Sequence, residues 1–441
     1  MSGLFSFVPT GYHSELGALF TVCAAAVSLV LTSRRFFAVT VPLWLVVQRF
    51  VAGGVRNRAR PSHKGEPGVD RGDCKASFVL SRDMKDEDRP VAIVTGTNCG
   101  IGYWTAVWLA VEGYRVVCTC RSVSLSEVTA ERIRKEAEGR RRRLSGNLRY
   151  RETPPEIRVD GRFCIEFDDF ESVRFFARKF QETYVRLDVL VNNAGMMRRE
   201  LEFSVREPML ELHTAVNFLG PLLLTELLIP LLKKSSGRVV YVSSAAHRYP
   251  RLLLREGSLL KAMLTSSPSD ACLNGRLLES LKELNRGKTG ASGLLTTTSL
   301  LYAFVRYGTS KLLNIYHAHY IARHHNVRAC SLHPGCVASN FSRDLVPQGL
   351  ISRIYQHVCL LFLKTSEEGA QTTLHCAMCD AHELRLVEPH GGGADLAVSP
   401  YFAECMNQTH PWLLRYAWDL EEGDRIVEWG KAVVRLVGEG E

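Results

Sequence analysis

Short apolar runs alternate with longer amphipathic segments over most of the chain. The run Pro90–Val94 is rich in β-branched residues, and a glycine-rich turn separates it from the apolar, helix-length segment Tyr103–Val111. Further strands are predicted at Val116–Thr119, Phe163–Phe167, Asp188–Val191, Val239–Val242 and Arg328–Leu332, and helices at Val173–Tyr184, Pro221–Leu232 and Ser310–His324. Because strands that alternate with helices pair in parallel, the pattern predicts an α/β fold with a doubly wound parallel sheet.

Two long stretches interrupt this alternation. Glu131–Asp160 contains the basic run Arg140–Arg143, and Arg251–Ala303 is rich in Leu, Ser, Thr and Gly. Long stretches without a regular pattern are typical of surface insertions. We therefore predict one folded domain over 89–441 with insertions near 131–160 and 251–303, and we expect the basic run to be a solvated loop.

The first 88 residues differ from the rest. Leu16–Leu31 is apolar apart from two hydroxyl residues, and a pair of arginines follows it. A membrane span needs about 20 residues, so a cleaved signal peptide and a buried helix remain alternatives, although the absence of a preceding Lys or Arg disfavours the signal peptide. Positive charge after the run favours a cytosolic location for the rest of the chain. We predict a membrane anchor and an interfacial segment over 1–55, then a linker over 56–88.

Composition excludes few classes of function. A net charge of +9 over 441 residues is concentrated in local runs, which are typical of solvated or interfacial segments and not of a nucleic-acid groove. The 13 cysteines are scattered, as reduced thiols of a cytosol-facing domain would be. Four histidines lie on or near the helix predicted at Ser310–His324, but no acidic partner stands nearby in the sequence, and we predict no metal site.

The glycine-rich turn is the first motif with a specific chemistry. Thr95-Gly96-Thr97-Asn98-Cys99-Gly100-Ile101-Gly102 follows a strand and opens a helix. Glycines let the backbone approach a pyrophosphate closely, and the helix N-terminus supplies free N–H groups and a positive dipole end. The turn therefore predicts a dinucleotide site on a Rossmann fold.

Other motifs follow in a fixed order. Asn193-Ala194-Gly195 ends the strand predicted at Asp188–Val191, Asn217 lies in the next helix, and Ser243-Ser244 ends the following strand. Tyr307 and Lys311 open a helix, and Pro334-Gly335 follows the last predicted strand. In these motifs the chain resembles the short-chain dehydrogenase/reductase family from about Arg89 to Asp380.

Tyr307 and Lys311 suit acid–base chemistry for a simple reason. They lie one helical turn apart and share a face. A phenol has an ordinary pKa near 10, and an adjacent ammonium favours the phenolate and lowers that value. Tyr307 is then able to accept a proton from an alcohol or return it to a carbonyl oxygen.

The resemblance implies the remaining roles. Ser244, the second of two adjacent serines, would hold the substrate oxygen; Lys311 would also bind the nicotinamide ribose; and Asn217 would support a water on a proton path. It implies a cofactor site that also includes Tyr307 and the turn residues Thr95, Gly96, Asn98, Gly100, Ile101 and Gly102, with Asn193, Ala194, Gly195, Pro334, Gly335, Val337 and Ser339. An adenine contact is expected from Glu166, or from Asp168 if the alignment shifts.

The choice of cofactor depends on the end of the second strand. Sites that prefer NAD place an acid there for the ribose 2′-hydroxyl, whereas an arginine accommodates a 2′-phosphate. This chain has no acid at that point and has Arg121 instead. The sequence therefore predicts NADP(H).

Within the family, the chain is similar to the retinol-dehydrogenase-like branch, through Cys120-Arg121, Ser243–His247, Leu332–Gly335 and Thr365–Ala370. That branch is commonly membrane-attached and acts on lipophilic alcohols and aldehydes. The resemblance implies hydride transfer to or from a retinoid, steroid or polyprenyl-like substrate at the endoplasmic reticulum membrane, with the catalytic domain in the cytosol. A non-catalytic membrane adaptor that senses nucleotide is the alternative, and homo-oligomerisation stays open.

Overall fold

The computed structural model describes residues 85–144, 156–207, 209–248, 276–285, 300–337, 363–388, 397–409 and 415–435. The predicted anchor, nearly all of the linker, Ser339 and most of the second predicted insertion lie outside these described residues.

One twisted sheet organises the described part of the chain. Its strands run in the order β3-β2-β1-β4-β5-β6-β7-β8. All neighbours are parallel except β7 and β8, which form an antiparallel hairpin. The strands are β1 Val91–Thr95, β2 Arg115–Thr119, β3 Arg158–Asp160, β4 Val189–Asn192, β5 Arg238–Val242, β6 Arg328–His333, β7 Tyr401–Ala403 and β8 Met406–Asn407. The predicted doubly wound α/β fold is confirmed.

Helices cover both faces of the sheet. Among the described residues, the α-helices of ten residues or more are α1 Gly100–Val111, α2 Val123–Leu144, α3 Phe170–Thr183, α4 Gly220–Lys234, α5 Arg276–Asn285, α6 Leu300–His324, α7 Ser366–Met378 and α8 Leu420–Val433. Side chains of α1, α2 and α7 form one buried apolar cluster, and those of α3, α4, α5, α6 and α8 form the other. Alternate residues of the central strands enter the two clusters, which explains why these strands are apolar on both faces.

The stretch Glu131–Asp160 differs from its prediction as an insertion. Residues 131–144 complete α2, and Arg158–Asp160 is the strand β3, paired in parallel with β2. The helix is hard to recognise because its buried side, with Ile133, Ala137 and Arg141, is narrow and lies within a highly charged sequence. The basic run therefore belongs to a helix and not to a solvated loop.

The strand predicted at Phe163–Phe167 is wrong in position. Its alternate residues Phe163, Ile165 and Phe167 are buried as a strand pattern requires. However, the segment has only the isolated bridge Cys120–Cys164 to its neighbour. Extended backbone that packs one side into the core produces the same period-two pattern as a paired strand.

The helical segment Leu212–Lys234 is long and apolar enough to cross a membrane, but 72% of its most apolar window is buried inside the fold. It begins with a single turn, passes through a π-helical segment at Ala215–Leu219 and continues as α4. Packing against the sheet explains its apolar composition, so we interpret it as a core helix.

Candidate functional site

The predicted motifs meet at the carboxyl ends of the parallel strands. The strand order reverses between β1 and β4, and a crevice forms at such a reversal in an open α/β sheet. The glycine-rich turn follows β1, and Asn193-Ala194-Gly195 follows β4 on the other side of this point. Topology thus gathers segments that are about 100 residues apart in the sequence.

The glycine-rich turn fits closely against the segment after β4. Gly96 and Gly100 have φ values of +69° and +67°, which favour glycine. A Cβ at Gly102 would lie 2.3 Å from Asn193 Nδ2 and 2.4 Å from the carbonyl oxygen of Gly96. Glycine at these positions is therefore required by the shape of the turn.

Thr95 and Asn193 fix the two segments to each other. The Thr95 hydroxyl accepts hydrogen bonds from the backbone N–H groups of Asn193 and Ala194 at 3.0 and 2.9 Å. In return, Asn193 Nδ2 donates to the carbonyl oxygens of Thr95 and Gly96 at 2.7 and 3.3 Å. These bonds hold the turn rigid without occupying the N–H groups at the start of α1.

The N-terminus of α1 is suited to an anion. Its N-cap residue Cys99 makes no side-chain capping bond, and no acid stands in the first turn. Other helices differ, since Asp169 caps α3 and Thr365 caps α7 through a capping box. A Cβ at Gly100 would have no atom within 4 Å, so open space lies directly beside the turn. The geometry therefore fits a dinucleotide pyrophosphate.

Tyr307 and Lys311 lie on α6 beside this crevice. Lys311 is buried, and its Nζ lies 5.6 Å from the centre of the Tyr307 ring and donates to the carbonyl oxygen of Val242 at 2.9 Å. A Cβ at Gly195 would lie 3.2 Å from this Nζ. The absence of a side chain at Gly195 thus lets the segment after β4 approach the amine closely.

Asn217 joins the same group from the π-helical segment. Its Oδ1 accepts from the backbone N–H of Met196 at 2.8 Å, and its Nδ2 donates to the carbonyl oxygen of Met196 at 2.9 Å and to Ser310 Oγ at 3.0 Å. Ser310 Oγ in turn donates to the carbonyl oxygen of Tyr307 at 2.7 Å. Ser310 was not predicted as a site residue, because serine within a helix carries no recognisable signal.

The two adjacent serines after β5 have different roles. Ser243 is buried and donates to the carbonyl oxygen of Lys311 at 2.8 Å, which fixes α6 to the sheet. Ser244 is partly exposed, and its side chain is hydrogen-bonded to the Tyr307 phenol. The second serine is therefore the one placed beside Tyr307.

The electrostatics of the pair differ from the prediction. Burial raises the pKa of the Tyr307 phenol above its ordinary value, and the hydrogen bond to Ser244 only partly offsets this rise. Burial also lowers the pKa of Lys311 to about 8. The prediction that the Lys311 ammonium lowers the pKa of the phenol is therefore wrong, because the effect of desolvation is larger. The phenol is protonated at neutral pH and is able to donate a proton.

The segment after β6 forms another wall of the crevice. Gly335 has a φ of +91°, and a Cβ there would lie 2.9 Å from the side chain of Lys364, which is paired with Glu404 at 2.7 Å. A Cβ at Gly369 would lie 2.5 Å from Val337 and 3.3 Å from Ile101, so this glycine lets the segment approach the glycine-rich turn. Lys364 and Glu404 are 40 residues apart, and their spacing offered no reason to predict the pair.

The residues predicted to contact the adenosine half of the cofactor lie after β2 and in the extended segment that follows β3. Arg121 is exposed directly after β2. Glu166 is partly exposed just beyond the bridge between Cys120 and Cys164. Asp168, the alternative to Glu166, lies 3.3 Å from Ser204 Oγ.

Histidines on α6 and directly after it have acidic partners that the sequence did not reveal. His317 and His325 both approach the carboxylate of Glu226, at 3.4 and 3.2 Å, and His324 approaches Asp424 at 3.0 Å. These carboxylates lie on other helices and are far from the histidines in the sequence, so only the folded chain brings them together.

Within the part of the chain that the structure describes, one group has the residue types of a metal site. The ligand atoms of His375, Cys379 and Glu383 lie within 4.8 Å of one another at the end of α7. The guanidinium of Arg238 is 3.6 Å from Cys379 Sγ and already supplies positive charge there. Since an adjacent cation opposes binding of a second one, we interpret this group as a polar cluster.

Comparison with known proteins gives a consistent result. The family model described as short chain dehydrogenase matches residues 161–255. Human retinol dehydrogenase 11 is 31% identical over 334 residues, which cover 75% of this chain and 84% of that protein. Human retinol dehydrogenase 12 is 30% identical, with 71% and 78% covered. Bovine dehydrogenase/reductase SDR family member 13 is 33% identical, with 71% and 66% covered.

Proposed function

The chain belongs to the short-chain dehydrogenase/reductase family, in its retinol-dehydrogenase-like branch, and from this premise we propose that it transfers hydride between NADP(H) and a lipophilic alcohol or carbonyl compound. The observation that carries the proposal is the convergence of Ser244, Tyr307, Lys311 and Asn217 beside the glycine-rich turn. An adaptor that only senses nucleotide does not require a buried phenol hydrogen-bonded to a serine.

The site residues divide into two groups. The nicotinamide cofactor of this family supplies or accepts the hydride. The turn of Gly96, Asn98, Gly100, Ile101 and Gly102 would hold its pyrophosphate, and Pro334, Gly335 and Val337 would border the nicotinamide. Ser339 is proposed for the same side on sequence alone.

The chain's own residues handle the proton. In reduction, the Tyr307 phenol gives its proton to the carbonyl oxygen, which the Ser244 hydroxyl holds in place. The proton is replaced through Lys311, whose lowered pKa of about 8 makes proton exchange accessible near neutral pH. Asn217, anchored to Met196 and Ser310, supports the path to solvent. Oxidation uses the same path in the opposite direction.

A turnover assay tests this proposal. The full chain in detergent or vesicles is mixed with NADPH and retinal or a steroid ketone, and NADPH oxidation is followed. Tyr307→Phe is expected to reduce kcat by about 10²–10⁴-fold, the usual contribution of a positioned acid or base. Tyr320→Phe serves as the control, because Tyr320 lies on the same helix and its hydroxyl donates a hydrogen bond to Glu428. This variant is expected to keep the kcat of the wild type. Full activity of Tyr307→Phe would refute the mechanism, and NADPH binding without turnover of any carbonyl would favour the adaptor.

The preference for NADP(H) rests on Arg121. Its exposed guanidinium stands at the end of β2, where a 2′-phosphate is expected. Arg121→Asp should weaken binding of NADPH much more than binding of NADH. Arg178→Asp, at an exposed position of α3, changes the charge equally without altering this ratio. Equal losses for both cofactors in Arg121→Asp would contradict the assignment.

The substrate class and location are proposed from two observations. Two of the three relatives described above are named for retinol, a lipophilic alcohol, and Leu16–Leu31 has the composition of a membrane anchor. We place the protein at the endoplasmic reticulum membrane with the folded domain in the cytosol. Release of the full chain from cell membranes by alkaline carbonate would refute the anchor.

A further inference from the structure

Two buried histidines flank the turn that carries Ser244. His247 lies in the 3-10 turn Ala245–Arg248, and His333 is the last residue of β6. Their exposed fractions are 0% and 7%, so both side chains are within the core. Neither takes part in the proton transfer described above.

His247 holds the backbone of Ser244 directly. Its Nδ1 lies 2.7 Å from the carbonyl oxygen of Ser244, and its backbone N–H donates to the same oxygen at 3.0 Å. Because a carbonyl oxygen only accepts, the Nδ1 atom must carry a proton. The ring also packs edge-on against Tyr401 of β7, at 5.2 Å between ring centres, and the Tyr401 hydroxyl lies 3.4 Å from Nδ1.

His333 holds the next residue from the other side. Its Nδ1 accepts the backbone N–H of Ala245 at 3.2 Å and therefore carries no proton. Burial, with the nearby positive charge of Lys364 as a smaller cause, lowers the pKa of His333 to about 3. The ring thus stays neutral over the physiological pH range and keeps Nδ1 as an acceptor.

We propose that His247 and His333 are positioning residues that fix the backbone around Ser244, so that its hydroxyl stays on the Tyr307 phenol. The backbone N–H of Ala246 donates to Ser244 Oγ at 3.2 Å, which leaves the hydroxyl proton free for the phenol oxygen. The two histidines bind the two ends of a single peptide group, the carbonyl oxygen of Ser244 and the N–H of Ala245, which directly follows the Ser244 side chain. This inference rests on the proposed function, because it assigns Ser244 a role in catalysis.

A double-mutant cycle tests the proposal. His247→Leu removes the Nδ1 donor and is expected to lower kcat by about 10–100-fold, with little change in the KM for NADPH, since small displacements of a reacting group have effects of this size. In the Ser244→Ala background the same change should lower kcat by less than about twofold, because residues that act through one group are not additive. His247→Asn keeps an amide donor near the Nδ1 position and should restore part of the activity.

His319 provides the matched control. It is equally buried, its Nδ1 lies 2.8 Å from Ser399 Oγ, and its Nε2 lies 3.1 Å from the carbonyl oxygen of Ala417. His319→Leu should lower the melting temperature without a loss of kcat in the folded protein. If His247→Leu does not fold, His247→Gln replaces it in the double-mutant cycle. The glutamine amide reaches the position of Nε2 but not that of Nδ1, so the donor to Ser244 is still lost.

The outcomes separate the two proposals. Equal effects of the His247 change in the presence and absence of Ser244 would overturn the positioning role while turnover by the wild type still supports the enzyme. A wild type that turns over no carbonyl compound would instead refute the proposed function itself. For His333, activity retained by His333→Leu but lost by His333→Asn, which preserves an acceptor, would likewise overturn the proposal.

Discussion

Glycine at position 102 is required by contact and not by backbone angle. Gly102→Ala would place a methyl group 2.4 Å from the carbonyl oxygen of Gly96, which is backbone and cannot rotate away. We expect a loss of about 1–3 kcal/mol in the free energy of unfolding, as for other overpacked sites, together with weaker NADPH binding. Denaturant unfolding and NADPH fluorescence measure the two effects.

Gly139 offers the comparison for this prediction. It lies in α2, and a Cβ there would meet nothing within 4 Å. Gly139→Ala should therefore stabilise the protein by about 0.5–1 kcal/mol, the usual difference between these residues in a helix, and leave NADPH binding unchanged. NADPH binding by Gly102→Ala at wild-type affinity would show that the turn does not hold the cofactor.

The raised pKa of Tyr307 predicts different pH profiles for the two reaction directions. Reduction needs the protonated phenol, which persists throughout neutral pH, so its kcat should change little between about pH 6 and 9. Oxidation needs the phenolate, so its kcat should rise by roughly tenfold per pH unit toward the alkaline range. Steady-state rates with buffered NADPH or NADP⁺ check this. An oxidation rate that is already level at pH 7 would mean that the phenol pKa is lowered after all.

Three helices on one face of the sheet are joined by a single arginine. Arg140 of α2 binds both carboxylate oxygens of Glu367 on α7, at 2.6 and 3.0 Å. Its guanidinium lies 4.8 and 5.4 Å from the ring centres of Trp104 and Trp108 on α1. Trp108 Nε1 also donates to Glu367 at 3.0 Å. The arrangement connects the helix that follows the glycine-rich turn to its two neighbours.

Arg140→Ala is therefore expected to lower the free energy of unfolding by about 1–3 kcal/mol, because charged hydrogen bonds and ring contacts are lost together. Arg140→Lys should restore little, since an ammonium cannot form the bidentate pair. Arg143→Ala, one turn away with a 70% exposed side chain, should stay within about 0.5 kcal/mol of the wild type. If chemical denaturation gave the same free energy of unfolding for the two alanine variants, the contacts of Arg140 would not contribute to stability.

Across the whole molecule, the sequence predicted what depends on local pattern. Alternating strands and helices, the glycine-rich turn and the order of the motifs follow from residues close to one another in the chain. The position of β3 did not, because Phe163–Phe167 has the pattern of a strand without its hydrogen bonds. The partners of Tyr307, Lys364 and His317 come from distant segments, and burial reversed the expected pKa shift of the phenol. These contacts and this pKa shift depend on the tertiary structure and cannot be predicted from local sequence.

Helix α8, the last helix among the described residues, tests whether the domain predicted over 89–441 is one folding unit. Ile426 is fully buried in the same apolar cluster as Leu222 of α4 and Tyr316 of α6. A Cβ at Gly430 would lie 2.9 Å from Leu222, so α8 packs tightly against the helices beneath the candidate site. Since α6 also carries Tyr307 and Lys311, loosening α8 should destabilise the site and the sheet together.

Ile426→Ala is expected to lower the free energy of unfolding by about 2–5 kcal/mol, the usual effect of such a cavity. Glu421→Ala, at an 84% exposed side chain of the same helix, should have almost no effect. Both proteins should unfold in a single transition that NADPH shifts upward by the same amount, because a ligand stabilises whichever unit contains its site. Two transitions, with only the NADPH-insensitive one lowered by Ile426→Ala, would instead show that α8 belongs to a separate unit that does not support Tyr307 and Lys311.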